Sequence, residues 1–206
     1  MRNNKMTGRE RVGRMFRREA QDSIPRGEAF WPETIDRFRA EGMAGDAYDH
    51  LGNDFQGLCW SDPKPFPNQN EVVSEDEQTT TTKDPWGNLV RYWKNRSGTP
   101  EHVAFSCVDS DIWRNEFKPA LLSAGYSVDV EGAQRSCRIG RRNGRWCHLT
   151  GLESFEMTRR LMGDEITLMG MIEEPDWIVD VSRTMTDLVL ADWDVLVAAG
   201  VEFDGC

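Results

Sequence analysis

The stretch PDWIVDVSRTMTDLVLADWDVLVAAGVEFD, residues 175–204, reads as a long helix that runs directly into a strand. Pro175 suits a first helical turn and Asp176 complements the positive helix end, while Ile178, Val181, Met185 and Leu188 recur at helical spacing along one face. Gly200 stands where a left-handed cap belongs, and residues 199–204 then form a candidate strand. Just upstream, residues 155–162 and a segment from Asp164 carrying Ile166, Met169 and Ile172 also show helical periodicity.

The same alternation extends back to the start of the chain. Thr7 and Glu10 make a capping-box pattern for a helix ending near residue 20, with Val12, Met15 and Phe16 on its apolar face. Ala29-Phe30-Trp31 reads as a strand that turns sharply at Pro32 into a helix carrying Ile35 and Phe38, closed by Gly42 and Gly45. Residues 55–60 form a second buried strand, stopped by Ser61-Asp62-Pro63. Residues 63–76 are a surface excursion, followed by a hairpin in which residues 79–82 and 89–93 flank Asp84-Pro85-Trp86-Gly87. A short strand is expected within 101–107. Asp109 caps a helix through Ile112, Trp113 and Phe117, which Pro119 kinks or ends. A second hairpin is expected where residues 134–140 and 145–149 flank Asn143-Gly144. Strands alternating with helices indicate an α/β architecture with parallel strands.

With 206 residues, 38% hydrophobic and 29% charged, the chain can bury a core, and one domain over residues 1–206 is expected. Its net charge of −10 is uneven: residues 1–150 hold 22 Lys/Arg and 22 Asp/Glu, residues 151–206 hold 3 and 13. Such an acidic chain repels phosphate backbones, which sets nucleic acid aside as a partner. The longest uncharged run, residues 119–128, is about half the roughly 20 residues of a spanning helix, so no membrane span is expected. The opening lacks an apolar run before the charged residues 9–18, and the expected location is the cytoplasm. Cys59, Cys107, Cys137, Cys147 and Cys206 are odd in number and scattered, against a disulfide framework or a zinc knuckle.

Several short motifs lie in order along the chain: Met6-Thr7-Gly8-Arg9-Glu10-Arg11-Val12, Ile24-Pro25, Phe30-Trp31-Pro32-Glu33-Thr34, Leu161-Met162-Gly163, Glu174-Pro175-Asp176 and Ala198-Ala199-Gly200-Val201. Together they resemble the uroporphyrinogen decarboxylase superfamily, which includes the decarboxylases of haem synthesis and corrinoid-linked methyltransferases. The resemblance implies a (β/α)₈ TIM barrel. Such barrels typically need about 250 residues, so a partial barrel with inserted β-hairpins is expected, an N-terminal fragment; were 206 residues the full natural product, an exposed edge beside residues 201–203 would instead invite association with another chain, as in a homodimer.

The decarboxylases share a segment R-Q-A-G-R-Y-x-P-E whose arginines grip the acidic substrate. Here Pro25 and Ala29 replace both arginines, and only Pro32-Glu33 matches. An apolar side chain cannot replace a bidentate carboxylate donor. Methyl transfer linked to a corrinoid protein is therefore the preferred reading. Decarboxylation of a poly-acid and a non-catalytic half-barrel binding module are the alternatives.

The active site of a barrel lies at the C-terminal strand ends, which nominates Asp62 and Glu28 as catalytic and Trp31, His148 and Asp204 as substrate-binding. Asp62, in Trp60-Ser61-Asp62, resembles the aspartate of the decarboxylases, with Asp54 a weaker candidate; the bland reading of Asp62-Pro63 is a strand stop. Glu28 suits the orientation of a substrate amine or hydroxyl, against a plain solvated loop glutamate. Trp31 and His148 also read as packing and structural residues. The methyltransferase branch uses zinc held by His-x-Cys and a later Cys. Adjacent Cys147 and His148 point to opposite faces of a strand, so no metal site is expected within this chain. Zinc would enter only with such ligands in a following half. The cluster Arg135, Arg138, Arg141, Arg142 and Arg145 reads as a solvated hairpin or as a receiver of an acidic substrate or partner.

Overall fold

The computed structural model describes residues 6–95, 98–152 and 154–206. The first five residues, read above for the lack of a leader, lie outside the described residues. In chain order the elements are α1 (Gly8–Phe16), α2 (Pro32–Ala40), α3 (Ala47–His50), β1 (Phe55–Ser61), β2 (Glu71–Glu75), β3 (Thr79–Lys83), β4 (Leu89–Trp93) and β5 (Glu101–Ala104). There follow α4 (Ser110–Ile112), a π turn over Trp113–Phe117, α5 (Lys118–Ser123), α6 (Val130–Arg142), β6 (Trp146–Gly151), α7 (Ser154–Met162), α8 (Asp164–Glu173) and α9 (Pro175–Ala198). Two compact units result. Unit 1 comprises Met1–Trp60, Asp129–Thr150 and Val195–Cys206; unit 2 comprises Ser61–Val128 and Gly151–Asp194. No helix among the described residues is long and apolar enough to cross a membrane.

Unit 1 is organised on two parallel strands, β1 and β6, extended by a parallel bridge from His148 to Gly205. The expected capping box starts α1: Thr7 Oγ accepts the Glu10 N–H at 3.2 Å, and the Glu10 carboxylate accepts the Thr7 N–H at 2.9 Å. The helix stops at Phe16, sooner than expected, where Arg18 adopts left-handed backbone at φ 56°. α6 lies on the sheet through Gly140. A Cβ there would come within 2.6 Å of Cys147 Sγ and 2.7 Å of Gln56 Cγ, so only glycine allows this approach. Val12, Leu58, Ala133, Cys147, Leu149, Leu196 and Val201 are buried.

Unit 2 packs helices around Trp113, Phe117, Leu121, Met157, Leu161, Met162, Val181 and Met185. Its sheet is a four-stranded antiparallel meander in the order β2-β3-β4-β5. The expected hairpin is its centre, with Thr79 opposite Trp93 and Lys83 opposite Leu89. Asp84 Oδ1 fixes the turn by accepting the N–H groups of Trp86 at 3.0 Å and Asn88 at 2.8 Å. Pro119 does not end its helix. It falls in the first turn of α5, directly after the π turn, whose wider spacing absorbs the missing donor.

Three expectations are corrected. The fold is mixed α/β but not a TIM barrel, closed or partial: the parallel sheet has two strands, and an antiparallel sheet fills 71–104. Ala29-Phe30-Trp31 forms no strand, because Phe30 packs instead on Phe38 and Tyr48, with ring centroids 5.6 and 6.0 Å apart. The second hairpin is also absent, since residues 134–140 lie within α6. Asp129 caps that helix by accepting the Gly132 N–H at 2.9 Å, and Asn143-Gly144 closes it, with Gly144 at φ 64° and the Arg145 N–H on Gly140 O at 2.8 Å. The dipeptide suits both a hairpin turn and a helix stop; the cap at Asp129 decides for the helix.

Candidate functional site

Unit 1 contains a cavity of about 810 Å³ between the 27–29 segment, the 46–57 stretch leading into β1, the end of α6 and β6. The local chemistry that places its walls is simple. Asp46 caps α3 by accepting the Asp49 N–H at 3.0 Å, which presents Tyr48 and Asp49 on the cavity side. Gly27 lies so close to Phe55 that a Cβ would come within 2.9 Å of its ring, which holds the 27–29 segment against β1. Phe55 in turn meets His148 edge-to-face, with centroids 5.9 Å apart at 89°.

The polar groups divide into engaged and free. Arg145 Nη1 donates to Gln56 Oε1 at 3.1 Å and Nη2 pairs with Asp49, so the guanidinium is neutralised within the wall. Asn143 Nδ2 adds a donor to Asp49 at 3.4 Å. Glu28 makes no hydrogen bond or ion pair among the described residues. His148 Nδ1 is buried and likewise has no hydrogen-bond partner among them. The arrangement offers an unengaged carboxylate, an imidazole with a free nitrogen and two aromatic rings.

The nominated residues therefore separate. Glu28 and His148 line this cavity; Trp31, Asp62 and Asp204 do not. Trp31 sits at the N-cap of α2 with its side chain 61% exposed. Asp62 belongs to unit 2, where it pairs with Lys64 at 2.9 Å and lies 3.9 Å from Arg160, while its N–H donates to Ser127 Oγ at 2.9 Å. Asp204 is a structural anchor, accepting from Arg9 at 2.9 Å, from Arg141, and from the Cys147 N–H at 2.9 Å. Burial pushes its carboxyl up, but the bonds from Arg141, Cys147 and Arg9 outweigh that and hold it below the usual aspartate range. Asp54 is likewise committed, to Arg11 and to the Arg26 N–H at 2.8 Å.

The arginine cluster is not a hairpin surface. Arg135 pairs along α6 with Asp129 and Glu131, both at 3.6 Å, Arg141 holds Asp204, and Arg145 is cavity wall. Sequence reasoning missed Tyr48, Asp49, Phe55 and Gln56; only the Asp46 cap left a local signal. Cys147 faces α6 with its thiol raised to about 11, chiefly by burial, and no group of three or more His, Cys, Asp or Glu among the described residues is placed to hold a metal ion. No protein-family model, no curated protein and no solved structure matches the chain.

Proposed function

We propose that the chain is a cytoplasmic enzyme of the uroporphyrinogen decarboxylase superfamily that handles a small molecule in methyl transfer linked to a corrinoid protein, with the unit 1 cavity as its substrate site. The family part of this reading rests on the ordered motifs of the sequence. One structural observation supports the choice of site: Glu28 and His148, both nominated from the sequence, line a single cavity with their polar atoms free of protein partners. Glu28 would orient an amine or hydroxyl of the substrate, and the His148 ring would pack beside it. A poly-acid substrate is disfavoured, since the one lining guanidinium is already matched by Asp49 while Glu28 and Asp46 add negative charge.

The second reading is a binding module without turnover. Incubation of the full chain with methylcobalamin and a thiol acceptor, followed by the cobalamin absorbance, tests the choice. Demethylation above the protein-free rate that falls at least ten-fold in Glu28→Gln supports methyl transfer at this site; no demethylation overturns it in favour of the module.

A further inference from the structure

We infer that the unit 1 cavity takes an organic cation, a substituted ammonium group with a small apolar body. This deepens the substrate-site reading above and rests on it only for the location. Charge is the first argument. Of the four formally charged side chains on the walls, Arg145 and Asp49 cancel each other in a direct pair, leaving the carboxylates of Glu28 and Asp46 without a matching cation. The Asp46 carboxylate caps α3 and Glu28 is unengaged among the described residues, so the open volume has an uncompensated negative field.

The walls supply the second argument. Tyr48 and Phe55 both line the cavity, and aromatic rings attract a cation that has shed part of its water, as alkylammonium ions readily do. A simple metal cation would need a convergent oxygen cage, and no such group is present among the described residues. The His148 ring, edge-to-face on Phe55, adds a third ring to the same lining. The cavity and its ring-lined walls are independent of the carboxylates, and all three suit one ligand chemistry.

Choline and its neutral isostere 3,3-dimethyl-1-butanol differ in charge and share shape and hydroxyl, and calorimetric titration of each into the full chain tests the inference. Choline is expected to bind at least about ten-fold more tightly than the isostere, the discrimination expected of a partly desolvated cation–aromatic site with a carboxylate. Glu28→Gln is expected to remove most of that preference while leaving the isostere affinity unchanged, and Tyr48→Leu to weaken choline severalfold. Choline should also shift the His148 ring resonances. Equal binding of the two probes, no binding of either, or a preference that survives Glu28→Gln overturns the inference. Cobalamin demethylation without choline binding would sink the cation and leave methyl transfer standing. Choline binding without demethylation would do the reverse.

Discussion

The guanidinium of Arg11 and the carboxylate of Asp54 meet inside unit 1 with their side chains only 6% and 7% exposed. Arg11 also donates to Asp22 at 2.7 Å and to Met6 O at 2.8 Å, so the whole fork is used. Removing one partner of a buried pair leaves the other charge stranded, which costs about 3–5 kcal/mol. Arg11→Ala is expected to lower unit 1 stability by that amount, read as a shifted urea midpoint. Arg11→Met, which fills the volume, should cost nearly as much because Asp54 loses its buried partner. A midpoint unchanged in both variants would show that the pair carries no net stability.

Acid sensitivity follows from the same cluster. The Asp22 carboxyl is pulled from 3.8 to about 2, first by the Arg11 hydrogen bond and, against burial, by the Met6 N–H. The folded state thus prefers the ionised form, and the contribution is complete above about pH 4 and lost as pH falls toward 2. Asp22→Asn should melt lower than the parent at pH 6 and converge with it near pH 2. Parallel melting curves across that range would refute the linkage.

Thiol reactivity should divide the cysteines by burial. Burial raises the Cys107 thiol to about 12 and the Cys147 thiol to about 11, while Cys206 is exposed. Aromatic disulfide reagents attack the thiolate, so Cys206 should label first in the native protein at pH 8 and Cys107 and Cys147 only on unfolding. Mass mapping of the labelled peptides checks the order. Early labelling of Cys107 would contradict the closed core of unit 2.

In unit 2, Asp192 is 2% exposed and accepts Ser61 Oγ at 2.6 Å, the Ser127 N–H at 2.9 Å, and Ser127 Oγ. Asp192→Ala would orphan these donors at a cost of about 2–4 kcal/mol. The fluorescence of neighbouring Trp193 during urea unfolding reports it. A loss below about 0.5 kcal/mol, the scale of an ordinary surface change, would mean that water replaces the carboxylate.

What the sequence disclosed is what neighbouring residues decide among themselves. The Thr7–Glu10 box, Pro32 at its helix start, the Asp84–Gly87 turn and Gly200 at φ 74° all act within a few residues, and all were readable. Asn143-Gly144 misled because left-handed backbone serves hairpins and helix ends alike. Ala29-Phe30-Trp31 misled because three apolar residues hold no periodicity, and ring contacts with Phe38 and Tyr48 outweighed strand pairing. The resemblance to barrel enzymes described segments but not their assembly, which long-range pairing sets. The site was half legible: Glu28 and His148 were nominated by position, but the Asp49–Arg145 pair spans 96 residues and leaves no pattern in the string.

The interleaved order of the two units also governs how the chain is made. Unit 2 occupies residues 61–128 and 151–194, while Asp204, bonded to Arg9 across 195 positions, belongs to unit 1. During ribosomal synthesis unit 2 has all its segments while unit 1 still lacks residues 195–206, which carry the Gly205 bridge to His148 and the anchor for Arg9 and Arg141. Closing so long a loop is slow, and chains fold their completed parts first. Arg9 thereby reaches its final packing only after Asp204, 195 positions later, has been made.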